Sequence, residues 1–242
     1  MNGYLYDPHV HTDETSLCGH IPGAEMVDRY KALGFTGLVI TDHLHPEYLS
    51  RIDVNHDWEA VIDHFLSGYQ AAKARGDEVG LNVILGAELR FPENDNDYLV
   101  YGIDEAWLRG NPYMCCLSAR EFFDKYRDEV LVIHAHPYRD GNDVVFEDAV
   151  HGSEIINAHP RHENRNELAL AMCRRHPEFL RLAGSDAHED GDEGHGGVIL
   201  PEPVTDSFAY KNMIETMQFQ LWSPGNPELL AADIEMRKET AK

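Results

Sequence analysis

The sequence predicts an α/β fold, and within that class a barrel with a metal site at the carboxyl ends of its strands. Apolar strand-like runs alternate with helix-like segments along most of the chain, which is the order of repeated βα units. Five of the strand-like runs stop at His, Asp or Glu, and functional side chains at strand ends are typical of such barrels. A length of 242 residues suits one barrel or two small domains.

The strands are predicted where apolar and β-branched residues cluster between turn signals. They are residues 4–6, 37–41, 83–88, 97–103, 130–135, 154–157, 181–184 and 219–222. Helical spacing of apolar residues predicts the helices between them. These are residues 24–33, 58–75, 121–126, 163–175 and 206–217. No repeat or linker interrupts this order, so we expect one barrel domain over 1–242, with the polar segment 223–242 packed on its outside.

The charge of the chain limits its partners. There are 20 Lys and Arg against 43 Asp and Glu, which gives a formal charge of −23. Such a surface repels polyanions and argues against nucleic acid as the main partner. The hydrophobic fraction of 43% is ordinary for a globular protein with a sizeable core. Nothing in the sequence indicates an oligomeric state.

The cysteines and the first residues predict a cytoplasmic protein. Cys18, Cys115, Cys116 and Cys173 form neither a disulfide framework nor a CxxC zinc knuckle. The start of the sequence has no basic and apolar leader regions, and no run approaches about 18 apolar residues. We therefore expect a reducing compartment and no membrane partner.

The segment 7–12 carries His9 and His11 at the end of the first predicted strand. Side chains alternate along a strand, so both imidazoles face the same side and can hold one divalent ion. A chance pair is plausible in a chain with 15 histidines. The later strands, however, end in the same way. The candidate ligands at strand ends are His9, His11, His43, Glu88, His136, Asp186 and His188.

Six short motifs in this order resemble the PHP (polymerase and histidinol phosphatase) family of metal-dependent phosphoesterases. They are DPHVHT at 7–12, LCGH at 17–20, ITDH at 40–43, GAE at 86–88, AHP at 135–137 and GSDAH at 184–188. The set is specific, although no single motif is, and it runs through about three quarters of the chain. The resemblance implies a distorted seven-stranded (β/α)7 barrel, similar to a TIM barrel, with a trinuclear metal site.

The resemblance also implies how the ligands divide among three divalent ions, which we expect to be Mn²⁺, Fe²⁺ or Zn²⁺. One ion would be held by His9, His11, Glu88 and Asp186. Glu88 would bridge to a second ion, which His136 also holds. The third ion would be held by His20, His43 and His188.

The sequence departs from the family pattern at two of these positions. The loop before LCGH is longer than in the histidinol-phosphatase branch, so His20 is the expected ligand and Asp13 the alternative. Asp97 stands where the family usually has a histidine on the strand after GAE. A carboxylate there would shift the preference of the site towards harder ions such as Mn²⁺. The alternative is that Asp97 belongs to the acidic turn before it and faces water.

Four further residues are candidates for contact with the substrate. Arg90, Arg139 and Arg161 follow strand ends, where a guanidinium group suits a phosphate. The alternative is that each is a surface arginine paired with one of the many carboxylates. His159 is a candidate proton donor to the leaving group, or else a plain loop histidine.

These observations predict a metal-dependent phosphatase that hydrolyses a small phosphomonoester through a hydroxide bridging two ions. One alternative is a phosphotyrosine protein phosphatase, an activity found in one branch of the family. An amidohydrolase is a weaker alternative, because the few lysines do not lie at strand ends and cannot supply a carboxylated bridge. A metal-binding barrel without turnover is the alternative from another class.

Overall fold

The computed structural model describes residues 3–142 and 147–240 of the chain. The strands in these ranges are β1 Tyr4–Val10, β2 Gly37–Ile40, β3 His43–Leu44, β4 Asn82–Leu85, β5 Ala87–Arg90, β6 Asp97–Tyr101, β7 Leu131–His134, β8 Gly152–Asn157, β9 Leu180–Gly184, β10 Gly197–Leu200 and β11 Gln220–Trp222. The helices are α1 Gly23–Ala32, α2 Pro46–Ile52, α3 Trp58–Val79, α4 Glu105–Gly110, α5 Ala119–Tyr126, α6 Asn166–Arg175, α7 Ser207–Glu215 and α8 Pro227–Thr240, with a short 3-10 helix at Met114–Cys116.

Local sequence signals set the ends of the helices. The side chain of Asp57 accepts a hydrogen bond from the backbone N–H of Ala60 and begins α3. Gly80, with φ of 71°, ends the same helix in the left-handed conformation that glycine tolerates best. At α5, Ser118 and Glu121 form a reciprocal capping box.

The strands pair into two mixed sheets. The first has the order β11-β10-β1-β2-β4, and the second has the order β3-β5-β6-β7-β8-β9. β1, β2 and β4 are parallel to one another, as are β7, β8 and β9, whereas β6 is antiparallel to both of its neighbours. The predicted α/β class is therefore confirmed, although the short strands β3 and β10 had no clear sequence signal.

The closed seven-stranded barrel stays a prediction, because the described residues do not pair into one closed sheet. The run predicted at 83–88 is divided at Gly86, so β4 belongs to the first sheet and β5 to the second. The segment that contains β2 and β3 is divided in the same way, with β2 in the first sheet and β3 in the second. Val10 at the end of β1 and Ala187 after β9 form an isolated parallel bridge. The two sheets thus also adjoin at the ends of β1 and β9.

The strand ends that carry the candidate ligands meet where the sheets adjoin. The main-chain N–H of Asp186 donates to the oxygen of His9, and the N–H of His11 donates to the oxygen of Ala187. The N–H of Glu88 donates to the oxygen of Asp42. These bonds join segments far apart in the sequence, and they bring the ends of β1, β2, β5 and β9 together.

The helix α8 is held to β9 by a buried ion pair. Arg181 and Asp233 are both almost fully buried, and Arg181 Nε donates to Asp233 Oδ1 over 2.6 Å. Arg237 binds the other carboxylate oxygen of Asp233. None of the helices in the described part of the chain has the length and apolar character that crossing a membrane requires.

We expect Asp233→Ala to lower the free energy of unfolding by about 3–5 kcal/mol, because it leaves the buried guanidinium of Arg181 without its counter-ion. Urea denaturation followed by circular dichroism measures this change. Asp190→Ala is the matched control, because Asp190 is 88% exposed and pairs with Arg29 at the surface. Its loss should change stability by about 1 kcal/mol or less. Equal effects of the two substitutions would contradict a structural role for the buried pair.

Candidate metal centre

Four buried side chains from three strand ends meet at one point. His9 Nε2 lies 3.3 Å from Glu88 Oε1 and 3.2 Å from Asp186 Oδ1. His11 Nε2 lies 3.4 Å from Glu88 Oε2 and 3.2 Å from the same oxygen of Asp186. The alternation of side chains along β1 turns both imidazoles to one side, as the spacing of the two histidines predicts. Two imidazoles and two carboxylates at these distances can surround one divalent ion.

A second group of possible ligands shares Glu88. His136 Nε2 lies 3.2 Å from Glu88 Oε1 and 3.8 Å from Asp97 Oδ2. Asp97 is buried, so it does not face water as a residue of the acidic turn would. Each residue of this group offers a ligand atom, and these atoms lie within 4.8 Å of one another. Asp97 therefore lies where a ligand of a second ion is needed, and its ligation stays a prediction.

A third group consists of imidazoles. His11, His43 and His188 offer ring nitrogens within 4.8 Å of one another. The ring of His11 stacks on those of His43 and His188, with centroids 4.6 Å and 4.1 Å away. His43 Nδ1 also lies 3.0 Å from Glu88 Oε2. Since Glu88 and His11 each take part in two groups, the three groups are contiguous.

The unsatisfied atoms of the cluster fit divalent ions. His9 Nε2, His11 Nε2, His43 Nδ1 and Glu88 Oε2 are buried and form no hydrogen bond within the described part of the chain. Burying polar atoms without a partner is unfavourable by about 1–3 kcal/mol each. A cation bound among them satisfies imidazole nitrogens and carboxylate oxygens together, and these are the ligands that Zn²⁺, Fe²⁺ and Mn²⁺ accept.

The charges in the cluster hold its carboxylates ionised and one imidazole neutral. Although burial opposes it, the nearby imidazoles of His9 and His43 hold the pKa of Glu88 well below its usual range. His9 and Arg139 likewise lower the pKa of Asp186 against the effect of burial. Burial, together with the adjacent imidazoles of the third group, lowers the pKa of His11 well below its usual value. Conversely, although burial opposes it, Asp186 and Glu154 raise the pKa of His9 well above its usual value, so an ion that binds there must displace a proton.

Two candidate ligands have a backbone conformation that L-residues rarely adopt. His136 has φ of 30° and Asp186 has φ of 54°. Such conformations cost on the order of 1–3 kcal/mol and persist only where the surrounding structure enforces them. Each lies two residues after the end of its strand, β7 or β9, and the turn in the backbone directs its side chain into the cluster. The strain supports a functional role for these two positions.

Glu154 positions His9, and the sequence analysis did not identify it. Its carboxylate on β8 accepts a hydrogen bond from His9 Nδ1 over 3.0 Å and another from the N–H of His136. This fixes the tautomer of His9 with Nε2 directed at the ion position. Gly184 makes room for this contact, because a Cβ atom there would lie 2.6 Å from Glu154 Oε1. A glutamate at the start of a buried apolar strand was the available signal in the sequence.

A second carboxylate positions His11 through a hydroxyl group. Ser16 Oγ donates to Asp42 Oδ1 over 2.7 Å, so its oxygen is left to accept from His11 Nδ1 at 3.3 Å. The same oxygen accepts from the N–H of His43. Asp42 is itself fixed by two hydrogen bonds from Thr12. This arrangement leaves His11 Nε2 available to an ion.

The three predicted arginines line one cavity of about 280 Å³ beside the cluster. Arg90 forms a bidentate ion pair with Asp97, at 2.8 Å and 2.7 Å. Arg139 donates to Asp186 and to two asparagine side chains. Arg161 pairs with Asp192, at 2.6 Å and 2.7 Å. All three are therefore paired with carboxylates and also reach the cavity, and their contact with a substrate stays a prediction.

His159 also lines this cavity. Its Nδ1 donates to the main-chain oxygen of Asp186 over 3.0 Å. Burial, with Arg139 and His188 nearby, lowers the pKa of His159 to about 4. The imidazole is therefore neutral at pH 7 in the absence of a bound anion. Its predicted role as a proton donor requires that a phosphate raise this pKa, and it stays a prediction.

The loop 12–22 brings both Cys18 and His20 to the cavity, and neither belongs to a group of possible metal ligands among the described residues. His20 is exposed at the rim of the cavity, and its main-chain N–H donates to the oxygen of His188. Asp13 is also exposed. Cys18 lines the cavity with His43 and His188, and although burial opposes the change, interaction with these two imidazoles lowers the pKa of its thiol to about 6. Ligation by His20 stays a prediction, and the sequence analysis did not single out Cys18.

The fold and the site define an α/β protein with a buried cluster of imidazoles and carboxylates that fits divalent ions at its strand ends. The family model of the PHP domain matches residues 7–195, which is more than half of the chain. The chain therefore belongs to the PHP family, and the resemblance that its motifs carry is confirmed. A comparison with curated proteins finds no match.

Solved structures share the fold at low sequence identity. A two-domain protein from Bacteroides vulgatus, containing a predicted PHP-like metal-dependent phosphoesterase, matches with a TM-score of 0.66 and 14% identity over 91% of this chain. This chain spans 64% of that protein, which is less than two thirds of its length. PsfC from Pseudomonas syringae matches with a TM-score of 0.63 and 16% identity over 98% of this chain and 99% of its own. An amidohydrolase from Chromobacterium violaceum with bound sulfate and no metal matches with a TM-score of 0.52 and 14% identity over 93% and 98% of the two chains.

We expect Glu154→Gln to weaken metal binding by about 10–100-fold, because the anionic acceptor that orients His9 is lost. Competition with a chelator, followed by metal analysis of the protein, measures this. The control is Glu215→Gln, since Glu215 pairs with Lys211 at the surface. Unchanged metal affinity in Glu154→Gln would show that His9 does not depend on this hydrogen bond.

Substitutions at Asp97 distinguish its predicted binding of an ion from its ion pair with Arg90. If Asp97 binds an ion, Asp97→Ala should lose about one ion per chain, whereas Asp97→His should retain it, because imidazole replaces carboxylate as a ligand. Arg90→Gln serves as the control, since it removes only the ion pair and should keep every ion. Metal analysis of the three purified variants decides the matter. A full complement of ions in Asp97→Ala would limit Asp97 to holding Arg90.

Proposed function

We propose that this protein is a metal-dependent phosphatase that hydrolyses a small phosphomonoester at a centre of three divalent ions. The observation that carries the proposal is the contiguity of three ligand groups around Glu88, beside a cavity lined by three arginines. Imidazole and carboxylate ligands suit divalent ions, and guanidinium groups suit the oxygens of a phosphate. Bound divalent ions would lower the pKa of water and offset the negative charge of the phosphate.

The residues of the chain divide between holding the ions and holding the substrate. His9, His11, Glu88 and Asp186 would hold the first ion. His136 and Asp97 would hold the second together with Glu88. His43 and His188 would hold the third, with His20 as the expected further ligand. The assignment is supported by groups of three residues whose ligand atoms lie within 4.8 Å of one another, among them the group of His9, His11 and Glu88.

The arginines would bind the phosphate from the open side of the cavity. Arg139 is mostly buried and held by Asp186 and Asn157, so it is well placed to orient the phosphate near the ions. Arg161 is 40% exposed and pairs with Asp192 at the rim. A bidentate contact from a guanidinium group fixes both the position and the rotation of a phosphate. The neutral imidazole of His159 would gain a proton when the dianion binds, and would then protonate the leaving oxygen.

A groove next to the cavity suits the organic part of a small substrate. It has a volume of about 280 Å³ and shares Cys18, His43 and Arg90 with the cavity. Leu17 and Tyr48 supply apolar surface in it. Together the two spaces match a phosphorylated metabolite in size, and the charge of −23 disfavours a nucleic acid.

The remaining parts of the proposal concern the whole chain. The two sheets would act as one distorted seven-stranded barrel in a single domain, a view supported by the places where the sheets adjoin. A cytoplasmic location is supported by the four cysteines, all of which are free. The resident ions would be Mn²⁺, Fe²⁺ or Zn²⁺, since the ligands are imidazoles and carboxylates.

We expect Asp186→Asn and His43→Ala each to reduce the turnover of a phosphomonoester at least about a hundredfold, because a lost ligand weakens the ion and its effect on water. The assay uses protein loaded with Mn²⁺, Fe²⁺ or Zn²⁺ and a panel of sugar, nucleoside, amino-alcohol and tyrosine phosphates. Asp190→Asn and His56→Ala are the controls, since both side chains are about nine-tenths exposed.

The panel also distinguishes the alternatives. Selective hydrolysis of phosphotyrosine peptides would identify a protein phosphatase, and hydrolysis of amides alone would identify an amidohydrolase. An inactive wild-type protein with its ions bound would indicate a metal-binding protein without turnover. Full activity in Asp186→Asn or His43→Ala would place the reaction at another site.

A further inference from the structure

Asn157 is the last residue of β8, and its side chain is buried beside the cluster of candidate ligands. Residues three apart on a regular strand face opposite sides, yet Glu154 and Asn157 both reach the cluster. The register of β8 against β9 shifts between Glu154 and Ile156, so one extra residue of β8 lies opposite β9. Such an irregularity redirects the side chains that follow it. It brings Asn157 Nδ2 to 3.0 Å from Glu154 Oε2, to which it donates.

The amide nitrogen of Asn157 also donates to a predicted metal ligand. Asn157 Nδ2 lies 3.3 Å from Asp186 Oδ2, and Arg139 binds the same carboxylate oxygen. The other oxygen, Asp186 Oδ1, is thereby left facing His9 and His11, at 3.2 Å from a ring nitrogen of each. Asn157 therefore holds this carboxylate in the orientation that an ion among the two imidazoles needs.

The amide oxygen of Asn157 faces groups that line the cavity. Asn157 Oδ1 accepts a hydrogen bond from Arg139 over 2.9 Å and another from the main-chain N–H of His159 over 3.1 Å. Both of these residues line the cavity. They are the residues proposed above to bind the phosphate and to protonate the leaving oxygen. One side-chain amide thus contacts both the candidate ligands and the groups proposed to act on the substrate.

These four hydrogen bonds use the full capacity of the amide, which has two N–H donors and an oxygen that accepts two bonds. A reversed amide would turn its oxygen towards two carboxylates and its NH₂ group towards two donors, so only one orientation fits. The backbone of Asn157 is fixed as well. Its N–H donates to Asn166 Oδ1 over 3.1 Å, and its carbonyl oxygen accepts from the side chains of Asn164 and Asn166. Asn157 is therefore rigidly placed before any ion or substrate binds.

We propose that Asn157 is a positioning residue that couples the metal centre to Arg139, the arginine expected to orient the phosphate. This inference rests on the proposed function, because it assigns to Asn157 a part in both metal binding and phosphate binding. An amide suits the role, since it donates to ionised carboxylates and accepts from a guanidinium group at the same time. An aspartate could not donate when ionised, and a lysine could not accept.

The first test measures both kinds of binding in two variants of the full chain. Asn157→Leu keeps the branched shape of the side chain without its polar atoms, and Asn157→Ser keeps a polar group that is too short to make all four contacts. In each, the dissociation constant of one Mn²⁺ or Zn²⁺, measured by competition with a chelator, should rise at least about tenfold, because a group that orients a ligand is lost. At saturating metal, the dissociation constant of inorganic phosphate, measured by calorimetry, should rise at least about tenfold, as expected when a hydrogen bond to a charged group is removed.

Asn111→Leu is the matched control. Asn111 donates to the main-chain oxygen of Trp107 at the end of α4, and it belongs to neither the ligand groups nor the cavity lining. This variant should bind ions and phosphate as the wild type does. Thermal unfolding followed by circular dichroism confirms that each variant is folded before its binding is compared.

A double-mutant cycle shows whether Asn157 acts on the phosphate through Arg139. Arg139→Gln alone should weaken the binding of inorganic phosphate at saturating metal. Adding Asn157→Leu to it should change the phosphate dissociation constant by no more than about twofold, because the guanidinium group that the amide orients is already absent. Losses that multiply in the double variant would overturn the coupling.

The outcomes also separate this inference from the proposed function. Wild-type affinity for ions and for phosphate in Asn157→Leu and Asn157→Ser would overturn the role of Asn157, while turnover of a phosphomonoester by the wild type would leave the proposed function intact. A metal-loaded wild type that neither binds inorganic phosphate nor hydrolyses a phosphomonoester would overturn both.

Discussion

The carboxylate of Glu88 lies within 3.4 Å of ring nitrogens from four imidazoles, those of His9, His11, His43 and His136. These side chains come from β1, β3 and the end of β7. Three separate segments of the chain must therefore meet next to Glu88 on β5. A buried carboxylate without such partners would be strongly unfavourable. The same constraint explains why the N–H groups and carbonyls of these strand ends pair with one another across the two sheets.

Outside this cluster, polar side chains fix which ring nitrogen of His9 and of His11 points into the cluster. Glu154 acts directly on His9, whereas Asp42 acts on His11 through Ser16. Both of these arrangements depend on close packing. Gly68 on α3 permits the contact between Thr12 and Asp42, because a Cβ atom there would lie 1.9 Å from the threonine hydroxyl oxygen. Imidazoles held in this way need little reorganisation to bind an ion, which is how outer groups raise metal affinity.

Three arginines and four carboxylates line the cavity of the site. The chain carries a formal charge of −23, yet Arg90, Arg139 and Arg161 all face the cavity. Each is held by a carboxylate that is itself fixed by the fold, so the guanidinium groups are positioned before a substrate arrives. Because carboxylates outnumber the arginines in the lining, an anion would be favoured there once bound cations offset the charge of Glu88 and Asp186.

The local pattern of the sequence was sufficient for the class of the fold and for most of the candidate ligands that the structure brings together. His9 and His11 share one side of a strand because side chains alternate along it. His43, Glu88 and Asp186 lie at or near strand ends, and each of these ends can be recognised from the apolar run that precedes it. The order of six motifs was also sufficient for the family.

Only the tertiary structure decided which groups meet across the chain. Glu154 became a partner of His9 only through the pairing of β8 with β9, and Asp97 met Arg90 only through the antiparallel pairing of β5 with β6. The physical reason is that periodicity specifies the side of an element that a residue occupies, whereas contacts between distant residues depend on packing and register.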